Sequence, residues 1–87
     1  MSTDPVPVTV YSRENCHLCA AAVETMEDAA ADVSAPVELA EVDVDDDPDL
    51  RAAYGDRVPV VEIAGEEAFE YRVDPGEARR LLRAAAD

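Results

Sequence analysis

The chain has 87 residues and a mass of 9.3 kDa, a length that buries only about 60 to 65% of the surface exposed on unfolding and so predicts one small domain. Hydrophobic residues make up 48% but aromatics only 5%, so the core must be built from Ala, Val and Leu in closely packed layers of helix on sheet. Twenty-one Asp and Glu stand against seven Arg and no Lys, a net charge of −14, which repels phosphates and anionic lipid and excludes nucleic-acid grooves and polybasic membrane contacts.

An Asp-rich, lysine-free composition of this kind resembles that of proteins from extremely halophilic organisms. At about 1 M salt the Debye length is only about 3 Å, so self-repulsion among surface carboxylates largely vanishes. No apolar run approaches a membrane span, and MSTDPVPV has neither the basic start nor the long apolar segment of a signal peptide, so a cytoplasmic protein is expected. In a reducing cytosol a lone cysteine pair is metal-binding, catalytic or redox-sensing before it is a structural staple.

The first predicted element is a buried strand over residues 6–11 (VPVTVY), with residues 1–5 flexible and the ordered core running over about 6–86. From Cys16 the period changes: Cys19, Ala22, Val23, Met26, Ala29, Ala30 and Val33 recur every three or four residues, while Glu24, Glu27 and Asp28 fall off that stripe. This predicts an amphipathic helix, with Asn15 as its N-cap. Residues 37–44 (VELAEVDV) alternate imperfectly and read as a second strand. Asp47-Pro48 opens a short helix over 48–54, which Gly55 ends.

Residues 58–64 and 68–73 are strand-like and flank Gly65-Glu66-Glu67, a hairpin spacing. Asp74-Pro75-Gly76-Glu77 matches a capping box, and Ala78, Leu81, Leu82 and Ala85 share one face of a last helix, with Arg79, Arg80 and Arg83 outside it. The order βαβαββα, two βαβ-like steps followed by a hairpin and a helix, describes an α/β thioredoxin-like fold with a four-stranded mixed sheet flanked by helices. The acidic run DVDDDPDL matches a calcium loop through Asp43, Asp45 and Asp47, but Pro48 and Tyr54 occupy the glycine and bidentate-glutamate positions. A capped helix start explains it instead.

The chemistry sits in Cys16-His17-Leu18-Cys19. Three residues apart at a helix start, the cysteines face the same way. The positive end of the helix favours the Cys16 thiolate, which attacks disulfides, and Cys19 can resolve the resulting mixed disulfide. Arg13 either stabilises that thiolate and attracts anionic thiols or is a solvated arginine. A protonated His17 would help the thiolate, though the same helix end opposes its protonation. Cys16, His17 and Cys19 supply at most three metal ligands where a closed zinc site needs four, which leaves metal or iron–sulfur binding between two subunits as an alternative. Two buried apolar cysteines are the other.

YSRENCHLC after a first strand, VDVDDDPDLRAAYG and RVPVVEIAG together resemble the glutaredoxin-like members of the thioredoxin superfamily, over residues 8–85. The resemblance implies a basic residue three before the first cysteine, matched by Arg13, and a cis proline after valine facing the cysteines, matched by Pro59. A cis bond there would present the Val58 backbone to a bound thiol peptide. Two positions depart from the family: His17 stands where proline is usual, and the glutathione-binding Gly-Gly-x-Asp is missing around 70–76. Another low-molecular-weight thiol or a protein reductase then becomes the candidate electron donor.

The sequence thus predicts a thiol–disulfide oxidoreductase with Cys16 and Cys19 catalytic and Arg13, His17, Val58 and Pro59 binding substrate. It predicts a monomer without cofactor or metal, acting on low-molecular-weight thiols or protein disulfides. The alternatives are a metal or iron–sulfur module and a non-catalytic, redox-responsive interaction protein.

Overall fold

Alternation every second residue builds the first strand, β1 (Val6–Ser12): Val6, Val8 and Val10 are buried on one face, and Thr9 and Tyr11 are half-buried on the other. A computed structural model describes residues 4–86 of the chain. Of the N-terminal segment expected to be flexible, residues 1–3 lie outside the described residues, and Asp4 and Pro5 are exposed coil.

β1 is one of the two central strands of a sheet ordered β2-β1-β3-β4. β2 (Val37–Asp43) runs parallel to it, from Val6 opposite Val37 to Ser12 opposite Asp43. β3 (Val60–Ile63) runs antiparallel, from Val8 opposite Ile63 to Tyr11 opposite Val60, and β4 (Glu66–Glu70) closes the edge antiparallel to β3. Only the first crossover is therefore a parallel βαβ unit, not both. The second helix, α2 (Pro48–Tyr54), has seven residues and reaches about 10 Å, whereas a seven-residue strand spans roughly 23 Å. It cannot return the chain to the far end of the sheet, so β3 starts where β2 finished and runs the opposite way.

The first helix, α1 (His17–Asp32), and the last, α3 (Pro75–Ala86), cover the valine face. Ala22, Met26 and Ala29 of α1 and Ala78 and Leu82 of α3 join Val6, Val8, Val10, Val61 and Ile63 in one core. The two helices are also linked by Arg79 and Asp32 at 3.6 Å. Only one half of the predicted capping box forms at the start of α3: the Glu77 N–H donates to Asp74 Oδ2 at 3.1 Å, while the Glu77 carboxylate pairs with Arg80 instead of reaching back to the Asp74 N–H. On the opposite face the Tyr54 ring of α2 stacks on Tyr11, centroids 4.2 Å apart and planes 16° apart. The Arg57 guanidinium lies 5.4 Å from the Tyr54 centroid and bonds Glu67 and Glu70, each at 3.0 Å.

The hairpin turn starts one residue earlier than its composition predicts, and the fourth strand two residues earlier. Ala64 and Gly65 are the turn, with φ of 54° and 85°, the left-handed pair that a two-residue hairpin of type I′ requires. Ile63 then faces Glu66, and a bulge follows between Val61 and Glu62. The fourth strand ends at Glu70 rather than at residue 73, because Tyr71 takes φ 67° and the Arg72 N–H closes a tight turn onto the Glu70 carbonyl at 2.8 Å. The third strand begins at Val60 rather than 58, after a proline that has no N–H for the ladder.

Candidate active site

Cys16, not Asn15, caps α1. Cys16 has extended geometry (φ −106°, ψ 105°), and its Sγ accepts a hydrogen bond from the Cys19 N–H at 3.2 Å. Asn15 instead makes the turn out of the strand with φ 57°, a left-handed conformation to which asparagine is well suited. Cys16 and Cys19 are joined in a disulfide, with Cα atoms 5.2 Å apart. They are not equivalent: Cys16 is half-buried at the surface, whereas Cys19 is 2% exposed.

α1 has sixteen residues and no acidic side chain in its first turn, so nothing there cancels the partial positive charge of its N-terminus. His17, the first helical residue, and Leu18 are both exposed.

The Val58–Pro59 peptide bond is cis. The pairing of Tyr11 with Val60 sets this bond beside the end of β1, from which the chain leads directly into the cysteine loop. Pro59 is fully buried and its carbonyl accepts from the Tyr71 N–H at 2.8 Å. Val58 lies outside the ladder, and among the described residues neither its N–H nor its carbonyl has a backbone partner.

Arg13 is bound on two sides. Its Nε donates to Asp45 Oδ2 at 3.0 Å and its Nη1 to the Gly55 carbonyl at 3.4 Å. The hydrogen bond and charge of Asp45 hold this guanidinium more firmly protonated than usual, and Asp56 and Asp43 add to the effect. Asp45 is placed by a short 3-10 turn, Val44–Asp46, in which the Asp45 N–H donates to Asp43 Oδ1 at 2.9 Å. The acidic run is thus a pair of capped helical starts, the second made by Asp47, whose Oδ1 accepts from the Asp49 N–H at 2.8 Å. The partners of Arg13 lie 32 and 42 residues away, and no local pattern in the sequence points to them.

A hollow beside the cysteine loop is lined by Ser12, Arg13, Glu14, Glu41 and Asp43. Ser12 is buried there and donates to Glu41 Oε2 at 3.0 Å. Among the described residues no three His, Cys, Asp or Glu side chains are arranged to hold a metal ion, and no helix is long and apolar enough to cross a membrane.

Residues 7–83 match the family model of the glutaredoxin-like domain (DUF836). The chain belongs to this glutaredoxin-like family. Uncharacterized proteins of Mycobacterium tuberculosis and Mycobacterium bovis are 31% identical to it over 70 residues, covering 77% of this chain and 72% of each relative. Among solved structures, a protein from X. campestris is 38% identical with a TM-score of 0.70, covering 88% of this chain and 96% of its own. Protein Ne2328 from Nitrosomonas europaea is 26% identical with a TM-score of 0.75, covering 100% and 98%. A thioredoxin variant from Halobacterium salinarum is 25% identical with a TM-score of 0.67, covering 99% and 79%. The glutaredoxin-like domain accordingly has the thioredoxin-like fold expected from its element order, with the disulfide at the first strand-to-helix turn, where a thiol-redox role places it.

Proposed function

We propose that this glutaredoxin-like domain is a dithiol–disulfide oxidoreductase. The observation that carries the reading is the asymmetry of the pair: Cys16 lies at the surface and caps the helix, while Cys19 is buried one turn behind it. A sulfur at the helix N-terminus is favoured as thiolate, and its exposure lets a substrate disulfide approach in line.

The exchange runs in two displacements. The Cys16 thiolate attacks one sulfur of a substrate disulfide, forming a mixed disulfide and expelling the other half as a thiolate, which takes up a proton. Cys19 then loses its proton and attacks Cys16 Sγ, restoring the Cys16–Cys19 bond and releasing the second half as a thiol. Two electrons pass from the protein dithiol to the substrate, and a low-molecular-weight thiol or a protein reductase returns them.

The unpaired Val58 backbone is suited to strand-like contact with a bound peptide or thiol, a mode that tolerates many side chains. His17 is exposed beside Cys16, the cis Pro59 sets the direction of the Val58 backbone, and Arg13, paired with Asp45, is the cation of the same loop.

The test is reduction of bis(2-hydroxyethyl) disulfide by stoichiometric reduced protein in 2 M KCl. Wild type should oxidise in step with thiol release. Cys16→Ser should lose the reaction, and Cys19→Ser should stop at the mixed disulfide. A wild-type protein that leaves the disulfide intact while folded would refute the reading.

A further inference from the structure

The loop that carries Cys16 contains one cation, Arg13, and the fold assigns that cation a carboxylate. Three peptide units separate the Cα atoms of Arg13 and Cys16, so they are at most about 11 Å apart, roughly one Debye length at 0.1 M salt. A free guanidinium on this same short loop would favour the approach of carboxylate-bearing thiols. Asp45 occupies its Nε at 3.0 Å, and the Gly55 carbonyl takes Nη1 at 3.4 Å. Asp45 is itself fixed by the Asp43 cap on its N–H, so the pairing is built into the turn after β2. The other ionisable groups lining the adjacent hollow, Glu14, Glu41 and Asp43, are all acidic.

We propose that Asp45 is a specificity-determining residue for Cys16, neutralising Arg13 and thereby favouring cationic and neutral disulfides over carboxylate-bearing ones. The assignment rests on the exchange reading above and narrows it to a substrate class. Asp45 touches no reacting atom and acts through Arg13, as a positioning residue.

A pair of charged thiol reagents reads this preference without turnover. Reduced protein is treated with trimethylammonioethyl methanethiosulfonate or with sulfonatoethyl methanethiosulfonate. In each case the Cys16 thiolate displaces methanesulfinate from the reagent sulfur and forms a mixed disulfide, with no change in the total number of electrons. In 0.2 M KCl, with the fold monitored by circular dichroism, wild type should react faster with the cation than with the anion. Asp45→Asn keeps an oxygen for the Arg13 Nε and removes the charge. It should shift the anion-to-cation rate ratio upward about two- to fivefold, the range set by exposed ion pairs.

Asp45→Ala should shift the ratio the same way, and 2 M KCl should abolish the difference. Glu27→Gln, an exposed charge on α1 about ten residues past its start, removes the same unit of charge and should leave the ratio unchanged. Equal ratios in wild type and both Asp45 variants, or an equal shift in Glu27→Gln, would overturn the assignment. A ratio that shifts in a protein unable to reduce cystamine or dithiodipropionate would overturn the exchange reading and leave the role of Asp45 standing.

Discussion

The Cys19 backbone N–H donates to Cys16 Sγ across 3.2 Å, so one sulfur both closes the disulfide and caps the helix. Removing the sulfur should therefore cost stability even where no disulfide can form. Cys16→Ser keeps a capping oxygen, whereas Cys16→Ala leaves the first-turn donor unmet. We expect the alanine variant to be less stable than the serine variant by about 1 kcal/mol, measured by urea unfolding in 2 M KCl. Equal stability would mean that the cap contributes nothing.

Tyr11 governs the alkaline limit. Burial of its ring and its hydrogen bond to Glu62, at 3.0 Å, push the phenol up to about 12. In the unfolded chain a tyrosine ionises near 10, so between about pH 10 and 12 the unfolded state has lost a proton that the folded state keeps. The stability linked to this phenol is fully present below pH 10 and declines as pH rises toward 12. Absorbance at 295 nm should show a phenol ionising near pH 12 that is lost in Tyr11→Phe, and the same variant should flatten the decline.

Gly55 is required for space, not for an unusual backbone. Its φ of −54° and ψ of −35° suit any residue, but a Cβ there would meet the Arg51 carbonyl oxygen at 2.5 Å. Gly55→Ala should destabilise the fold by about 1 to 3 kcal/mol, the usual range for overpacking. Because the Gly55 carbonyl also accepts from Arg13, the thiol-reagent ratio should change with it. A melting temperature within a degree of wild type would contradict this.

Salt should stabilise the protein. A charge of −14 on 87 residues destabilises the compact state unless screened. The melting temperature should rise from 0.1 to 3 M KCl. The thiolate fraction of Cys16 at fixed pH should rise with it, since salt screens distant carboxylates more than the adjacent helix end. Thermal unfolding followed by circular dichroism and thiolate absorbance at 240 nm check the two effects. A flat melting curve series or a falling thiolate fraction would reject the corresponding expectation.

Much of this architecture was legible because the signals are local. Pro48 after Asp47, the Asp74 cap and the stripe from Cys19 to Val33 each act within a turn or two, and all appear where the sequence places them. The hairpin turn is not legible because Ala64-Gly65 lacks the usual Asn-Gly signature, and the acidic pair after it resembles a loop as much as a strand. Asn15 has the side chain of a cap, yet the sulfur one residue later holds the donor. At the candidate site the cysteine pair and the Val-Pro step were visible in the sequence. The Arg13–Asp45 pair was not, since it depends on β2 running parallel to β1, which brings residue 43 beside residue 12.

The stack of Tyr54 on Tyr11 makes the protein its own optical reporter. The chain has no tryptophan to mask tyrosine signals, and the two rings lie close enough for their near-ultraviolet transitions to couple. Lifting α2 off the sheet would separate them. Near-ultraviolet dichroism can therefore follow the seating of one short helix, next to the arginine loop, while far-ultraviolet dichroism follows the whole fold.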